Sequence, residues 1–126
     1  MSLKTLALLS GVYDLLLALP LLFAAPFLAR LFGAPEPVPL LNAQLNGVFT
    51  LTLAAGYFWA AGEPDARRGY FWVAGVLAKG LGALLFVLDH LTQGSPDAFL
   101  LFALTDGALC LLTMGLLLRT PRISTR

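Results

Sequence analysis

The stretch GYFWVAGVLAKGLGALLFVLDHL, residues 69–91, decides the architecture. Before its last turn it carries a single charge, Lys79, and it has the roughly 20 apolar residues that an α-helix needs to cross about 30 Å of hydrocarbon. It lacks the alternating period of two that a lipid-facing strand shows, and an unpaired backbone is not tolerated in lipid. A membrane-crossing helix is the reading that remains.

Three comparable stretches surround it, near 5–30, 39–61 and 97–118. With 59% hydrophobic and 12% charged residues, the chain lies far from the roughly 25% charged composition of a soluble domain. The expectation is an all-α integral membrane four-helix bundle, a single transmembrane domain over residues 1–126 with no soluble domain fitted in. Pro20 and Pro26 fall inside the first stretch, where each removes a backbone hydrogen bond and crowds the preceding turn, so the first helix is expected to kink at proline. The connections are short. Three alternate prolines, Pro35, Pro37 and Pro39, predict an extended turn before the second helix. Asp65 is expected to cap the third helix and Ser95 the fourth, with Pro96 at the first helical position.

Lys and Arg set the orientation, because basic loops stay on the cytoplasmic side during insertion. Lys4, Arg67, Arg68, Arg119, Arg122 and Arg126 fall at the termini and the middle connection, against Arg30 alone on the other side. Both termini are therefore expected to be cytoplasmic. The clusters Tyr57-Phe58-Trp59 and Tyr70-Phe71-Trp72 flank the middle connection and read as interface anchors. Lys4, the apolar run after it and Ala24-Ala25 loosely imitate a cleaved signal peptide, but Asp14 in the middle of that run argues against cleavage.

A net charge of +1 without a basic patch predicts no nucleic-acid partner. Cys110 is the sole cysteine and His90 the sole histidine, which excludes an internal disulfide and a Cys cage within one chain, and leaves no metal site expected. His90 beside Asp89 reads as a helix-end residue.

The chemistry lies in Asp14, Lys79 and Asp106, which sit near the middle of their stretches. Ionisable groups at that depth usually face a bundle interior or a wet cavity. From helical rise, Asp14 and Lys79 lie roughly 13 Å from the cytoplasmic boundary and Asp106 about 5 Å farther out, a gap that a lysine side chain spans. Two carboxylates sharing one ammonium carry surplus negative charge, which a proton or a cation would neutralise. The helical faces agree. Ala7, Ser10, Gly11, Asp14 and Ala18 share one side of the first helix; Gly75, Lys79, Gly82, Ala83, Phe86 and His90 share one of the third. Asn42, Asn46, Leu53 and Tyr57 are expected to face inward from the second helix, and Phe99, Phe102, Asp106, Cys110 and Thr113 from the fourth. Such groups serve either as interhelical glue at roughly 0.6 to 2 kcal/mol each or as a wet pocket open toward the outer side, where Asn42, Gln44, Asn46 and His90 cluster. The expected ligand- or proton-binding set is Asp14, Lys79, Asp106, Asn42, Asn46, Tyr57 and His90.

Four motifs carry a family resemblance: Gly11-Val12-Tyr13-Asp14-Leu15 with the later Pro26, Leu45-Asn46-Gly47-Val48-Phe49, Ala78-Lys79-Gly80-Leu81-Gly82 and Thr105-Asp106-Gly107. Together they resemble small four-helix bacterial membrane proteins near the DoxX-like group, and the likeness extends over nearly the whole chain. It implies a multi-pass protein of the bacterial inner membrane. For DoxX itself it implies association with quinone-linked respiratory enzymes. The residues themselves call for no cofactor, and a quinone is the one the resemblance admits.

Three function classes follow. The chain is a binding or accessory subunit, holding a lipid-soluble small molecule or docking onto a larger membrane complex or a second copy of itself. Alternatively it is a proton-coupled transporter of a small cation or amine, similar to the small multidrug resistance family in length and in its first-helix acid. An intramembrane enzyme using Asp and Lys for acid–base work ranks last, since no nucleophile or metal accompanies them.

Overall fold

Ser2 starts the first helix, its Oγ accepting a hydrogen bond from the Thr5 amide at 3.1 Å and so satisfying one of the orphan donors of the first turn. In the computed structural model, which describes residues 1–121, that helix is α1, Leu3–Phe23. It is followed by α2, Ala25–Leu31, α3, Leu40–Gly62, α4, Arg68–Gln93, and α5, Asp97–Arg119. The described residues are helical apart from the connections and contain no strand. Arg122 and Arg126, two of the basic residues used for orientation, lie outside the described residues.

The apolar run near 5–30 is two helices rather than one. Pro20 is accommodated inside α1, and the break comes at Ala24, whose amide still donates to the Pro20 carbonyl at 2.8 Å while its backbone leaves the helical region. Pro26 then falls in the first turn of α2, where its missing donor costs little. Past the end of α2 and its cap residue Phe32, the chain turns at Gly33, whose φ of +68° is a conformation that glycine adopts freely.

The remaining boundaries follow the sequence closely, but two caps do not. α4 begins at Arg68 with Arg67 in the cap position, and Asp65 instead lies 3.9 Å from the Arg68 guanidinium. The turn after Gly62 continues through Arg67, so Asp65 sits too early to reach the first free amides. α5 opens with a 3-10 turn over Asp97–Phe99, which moves the cap position to Pro96 and leaves Ser95 outside. Within α4, residues Phe71–Ala78 form a π-helical segment, widened to i→i+5 bonding just before Lys79.

Among the described residues three helices, α1, α4 and α5, are long and apolar enough to cross a membrane. α3 matches them in length, but Asn42, Gln44, Asn46, Thr50 and Thr52 lower its hydropathy. α1 packs most extensively on α3, and α4 on α5. Small residues permit the close approach. At the end of the molecule that holds the start of α1, the end of α5 and the α3–α4 connection, Leu3, Ala7, Tyr57, Ala60, Phe71 and Leu117 close into a tight apolar core. The aromatic clusters are thus divided. Tyr57 and Phe71 are fully buried, Tyr57 meeting both Phe71 and Tyr70 edge-on, whereas Phe58, Trp59 and Trp72 point outward. Outward too, Arg67 lies over the Trp59 ring at 4.3 Å and donates to the Trp59 carbonyl.

Gly75 marks the tightest crossing of α4 with α5, since a Cβ there would stand 2.6 Å from Thr113 Cγ2. Gly75→Val is expected to lower stability by about 1 to 3 kcal/mol, the ordinary cost of overpacking. Unfolding in mixed micelles measures it, and Gly115→Ala, at a position with open space beside it, is the control expected near zero.

Candidate functional site

The two helix pairs are joined at Lys79. From the start of the regular α-helix after the π segment, its ammonium donates to Asp14 Oδ1 on α1 at 2.8 Å and stands 3.6 Å from Asp106 Oδ1 on α5. Asp14 and Lys79 are almost wholly buried, each with 4% of its side chain exposed, whereas Asp106 keeps 18%. Three features hold the group in place. Asp14 belongs to the buried small-residue face of α1, with Ala7, Ser10, Gly11 and Ala18. The rings of Tyr13 and Tyr57 flank the ammonium at 5.0 and 5.7 Å, close enough for their π faces to stabilise it. Tyr13 is itself fixed to Thr105 at 2.6 Å. The Thr105 hydroxyl donates to the Leu101 carbonyl, so it is Tyr13 that donates to Thr105, tying α1 to α5 beside the acids.

On one side of this cluster the interior is packed, and on the other it is hollow. A cavity of about 620 Å³ begins at Asp14, Lys79 and Asp106 and extends toward the α2 end of the molecule. Its walls are apolar, with Leu17 and Leu21 from α1, Phe49 and Leu53 from α3, and Phe86 from α4. α2 and the proline-rich connection form the far wall through Leu28, Ala29, Phe32 and Pro35. Phe32 reaches across to Phe102 at 4.9 Å between centroids, and Phe102 stacks on Phe86 at 5.3 Å. The volume falls within the roughly 300 to 1,000 Å³ of small-molecule pockets. Apolar walls meeting a few convergent polar groups is also their usual composition.

Of the seven residues expected to bind ligand or proton, four line this cavity: Asp14, Lys79, Asp106 and Asn46. Tyr57 does not. It is buried behind Lys79, edge-on to Tyr70, within the apolar core. Asn42 is exposed, because the buried stripe of α3 runs through Ala43, Gly47 and Ala54, one residue or about 100° of helix away. His90 is held in the α4–α5 turn, its Nδ1 within 2.8 Å of the Ser95 carbonyl and its Nε2 3.6 Å from Asp97. Among the described residues no group of three or more His, Cys, Asp or Glu side chains could hold a metal ion.

Sequence reasoning missed the wall made by α2 and the prolines, which it read as a kink and a turn. The signal was Phe32, an aromatic residue leading into the alternate prolines. It also missed the Tyr13–Thr105 tie, although both residues stand next to the acids in sequence. Three buried oxygens, Asp14 Oδ2, Ser10 Oγ and the Tyr57 hydroxyl, have no protein partner among the described residues. Ser10 lies one helical turn from Asp14 and beside Tyr57, so all three belong to the neighbourhood of Lys79. Comparison with protein-family models, with curated proteins and with solved structures finds no match to this chain.

The buried ion pair makes a stability prediction. Lys79→Met leaves Asp14 without its counter-ion in a buried site, and Asp14→Leu leaves Lys79 without its short hydrogen bond; each is expected to cost about 3 to 5 kcal/mol. The double variant Asp14→Leu with Lys79→Met removes both charges and is expected to cost clearly less than the two single losses added together. Equilibrium unfolding in mixed micelles checks the cycle. Additive losses would mean that the two residues do not act as a pair.

Proposed function

We propose that this chain is a small integral membrane binding protein, a four-helix bundle akin to the DoxX-like group, that holds a lipid-soluble small molecule in the cavity above Lys79. In this reading α1, α3, α4 and α5 all cross a bacterial inner membrane, with both termini cytoplasmic and the cavity in the outer half of the bilayer. The observation that carries it is the cavity itself: about 620 Å³, walled by Leu and Phe side chains and floored by three ionisable groups.

Two features support α3 as the fourth crossing. The hydroxyls of Thr50 and Thr52 donate to the carbonyls of Asn46 and Val48, four residues earlier, at 2.8 and 2.9 Å, so they present little free polarity to lipid. Its outward residues Leu45, Val48 and Leu51 are apolar and exposed, as lipid-facing side chains are.

The packing favours binding over transport. A transporter needs its site to reach both sides in turn. Here the half of the interior between the charges and the chain ends is filled by Leu3, Ala7, Tyr57, Phe71, Ala74 and Leu117, all nearly inaccessible. A substrate entering from the cavity side meets a floor. Docking onto a larger membrane complex is compatible with the same pocket, the bound molecule then being shared with a partner.

Purification from the native cell in mild detergent, with mass spectrometry of co-purifying lipids, quinones and subunits, tests the reading. The wild-type protein is expected to retain an apolar molecule. Ala29→Trp and Leu28→Trp, which fill the cavity from α2, are expected to lose it while unfolding at the wild-type temperature. Retention of the same molecules by the filled variants would place them outside the cavity and overturn the reading. Pumping of a cation into vesicles by the purified chain alone would support transport instead.

A further inference from the structure

We infer that the ligand is a lipophilic cation, an amine or quaternary ammonium whose charged head seats against Asp106 and whose apolar tail lies along the Leu and Phe walls. This deepens the binding reading above and rests on it.

Charge comes first. With both acids ionised, Asp14, Lys79 and Asp106 carry one surplus negative charge in surroundings that solvate charge poorly, and either a proton or a cation offsets it. An anionic head such as a carboxylate would double that surplus. A neutral head would leave it as it stands. A cationic head brings the floor of the cavity to two positive and two negative charges.

Geometry selects Asp106 as the group that takes the head. Lys79 is committed to Asp14 by a hydrogen bond of 2.8 Å, while its 3.6 Å separation from Asp106 exceeds hydrogen-bond length. Asp106 is also the most exposed of the three, and it lines the cavity. Asp14 borders the same space, but its Oδ1 is taken by Lys79 and its Oδ2 is buried, which leaves Asp106 as the acceptor.

The wall that runs from Asp106 toward α2 favours a cation too. Phe32, Phe86, Phe99 and Phe102 form one aromatic group at the α5 side of the cavity, linked by centroid distances of 4.9 to 6.4 Å. Ring faces attract ammonium groups, most strongly where water is excluded. An alkyl chain fits the remaining wall of Leu17, Leu21 and Leu53.

The test uses the full-length protein in nanodiscs of zwitterionic lipid, with empty nanodiscs as the partition blank. Calorimetric titration compares five probes sharing a decyl tail: decylamine, decyltrimethylammonium, decanol, decanoate and a decyl-substituted benzoquinone. The two cations are expected to bind roughly tenfold or more tightly than decanol, the gain of a charge-assisted contact, and decanoate more weakly than decanol. Asp106→Asn is expected to bring the cation-to-decanol ratio close to one, and Asp106→Glu to keep it high. The wild-type series stands by itself if Asp106→Asn does not fold. Equal binding of decylamine, decyltrimethylammonium and decanol, or tightest binding by the quinone, overturns the cationic head while the cavity reading survives. Binding of none of the five defeats the cavity reading, and the head assignment with it.

Discussion

Everything else in this structure is arranged around the contact of Lys79 with Asp14. α1 packs on α3, and α4 on α5, and direct packing between α1 and α5 is slight by comparison. The lysine ammonium joins the pairs by holding an oxygen from α1 and standing beside one from α5. Hydrocarbon offers no alternative partner to any of these charges, so separating the pairs there would strand them. Packing alone would not select this register. In lipid, apolar faces gain little from burial against one another, and close fit and polar contacts decide which helix meets which.

The same contact divides the interior into two halves of different character. Toward the chain ends, side chains are small or interlocked, with Gly75 against Thr113 and Tyr57 edge-on to Tyr70. Toward α2 the helices stay apart, and a short helix and three prolines span the opening where longer helices would have met. Pro35, Pro37 and Pro39 lack backbone donors, so this segment has fewer amides to satisfy as it passes over an apolar space. The charged floor is therefore reached from the cavity side and sealed from the other.

How much of this could be read from the amino-acid sequence depends on the physical signal behind each part. The long apolar stretches and the three charges within them were legible, because a helix length and a charge in lipid both follow from simple energetics. The depth argument was legible as well: helical rise brings residues 14, 79 and 106 within reach of one lysine side chain, and the structure has them in contact. The phase of α3 was legible only in part: Asn46 and Leu53 line the cavity and Tyr57 is buried, but Asn42 is exposed, because the buried stripe there runs through Ala43 and Gly47, residues whose value is their small size. Amphipathicity is a weak guide where both lipid and core are apolar. Nor was the π-helical segment of residues 71–78 legible, since no residue type marks it, although it ends at Lys79 and changes the phase with which that side chain emerges.

A buried ion pair is weak evidence of stability, because apolar residues of similar volume often hold a fold as well or better. Had the join between the helix pairs been structural alone, one aspartate would have matched the lysine, and no space beside it would have been needed. Here a second carboxyl stands beyond hydrogen-bond distance of the ammonium, at the edge of a cavity large enough for a small amphiphile and lined in part by aromatic rings. The pair of Lys79 and Asp14 accounts for the register of the helices. Asp106 is left over from that account, and a group left over, charged and facing a cavity, is where recognition of a ligand would begin.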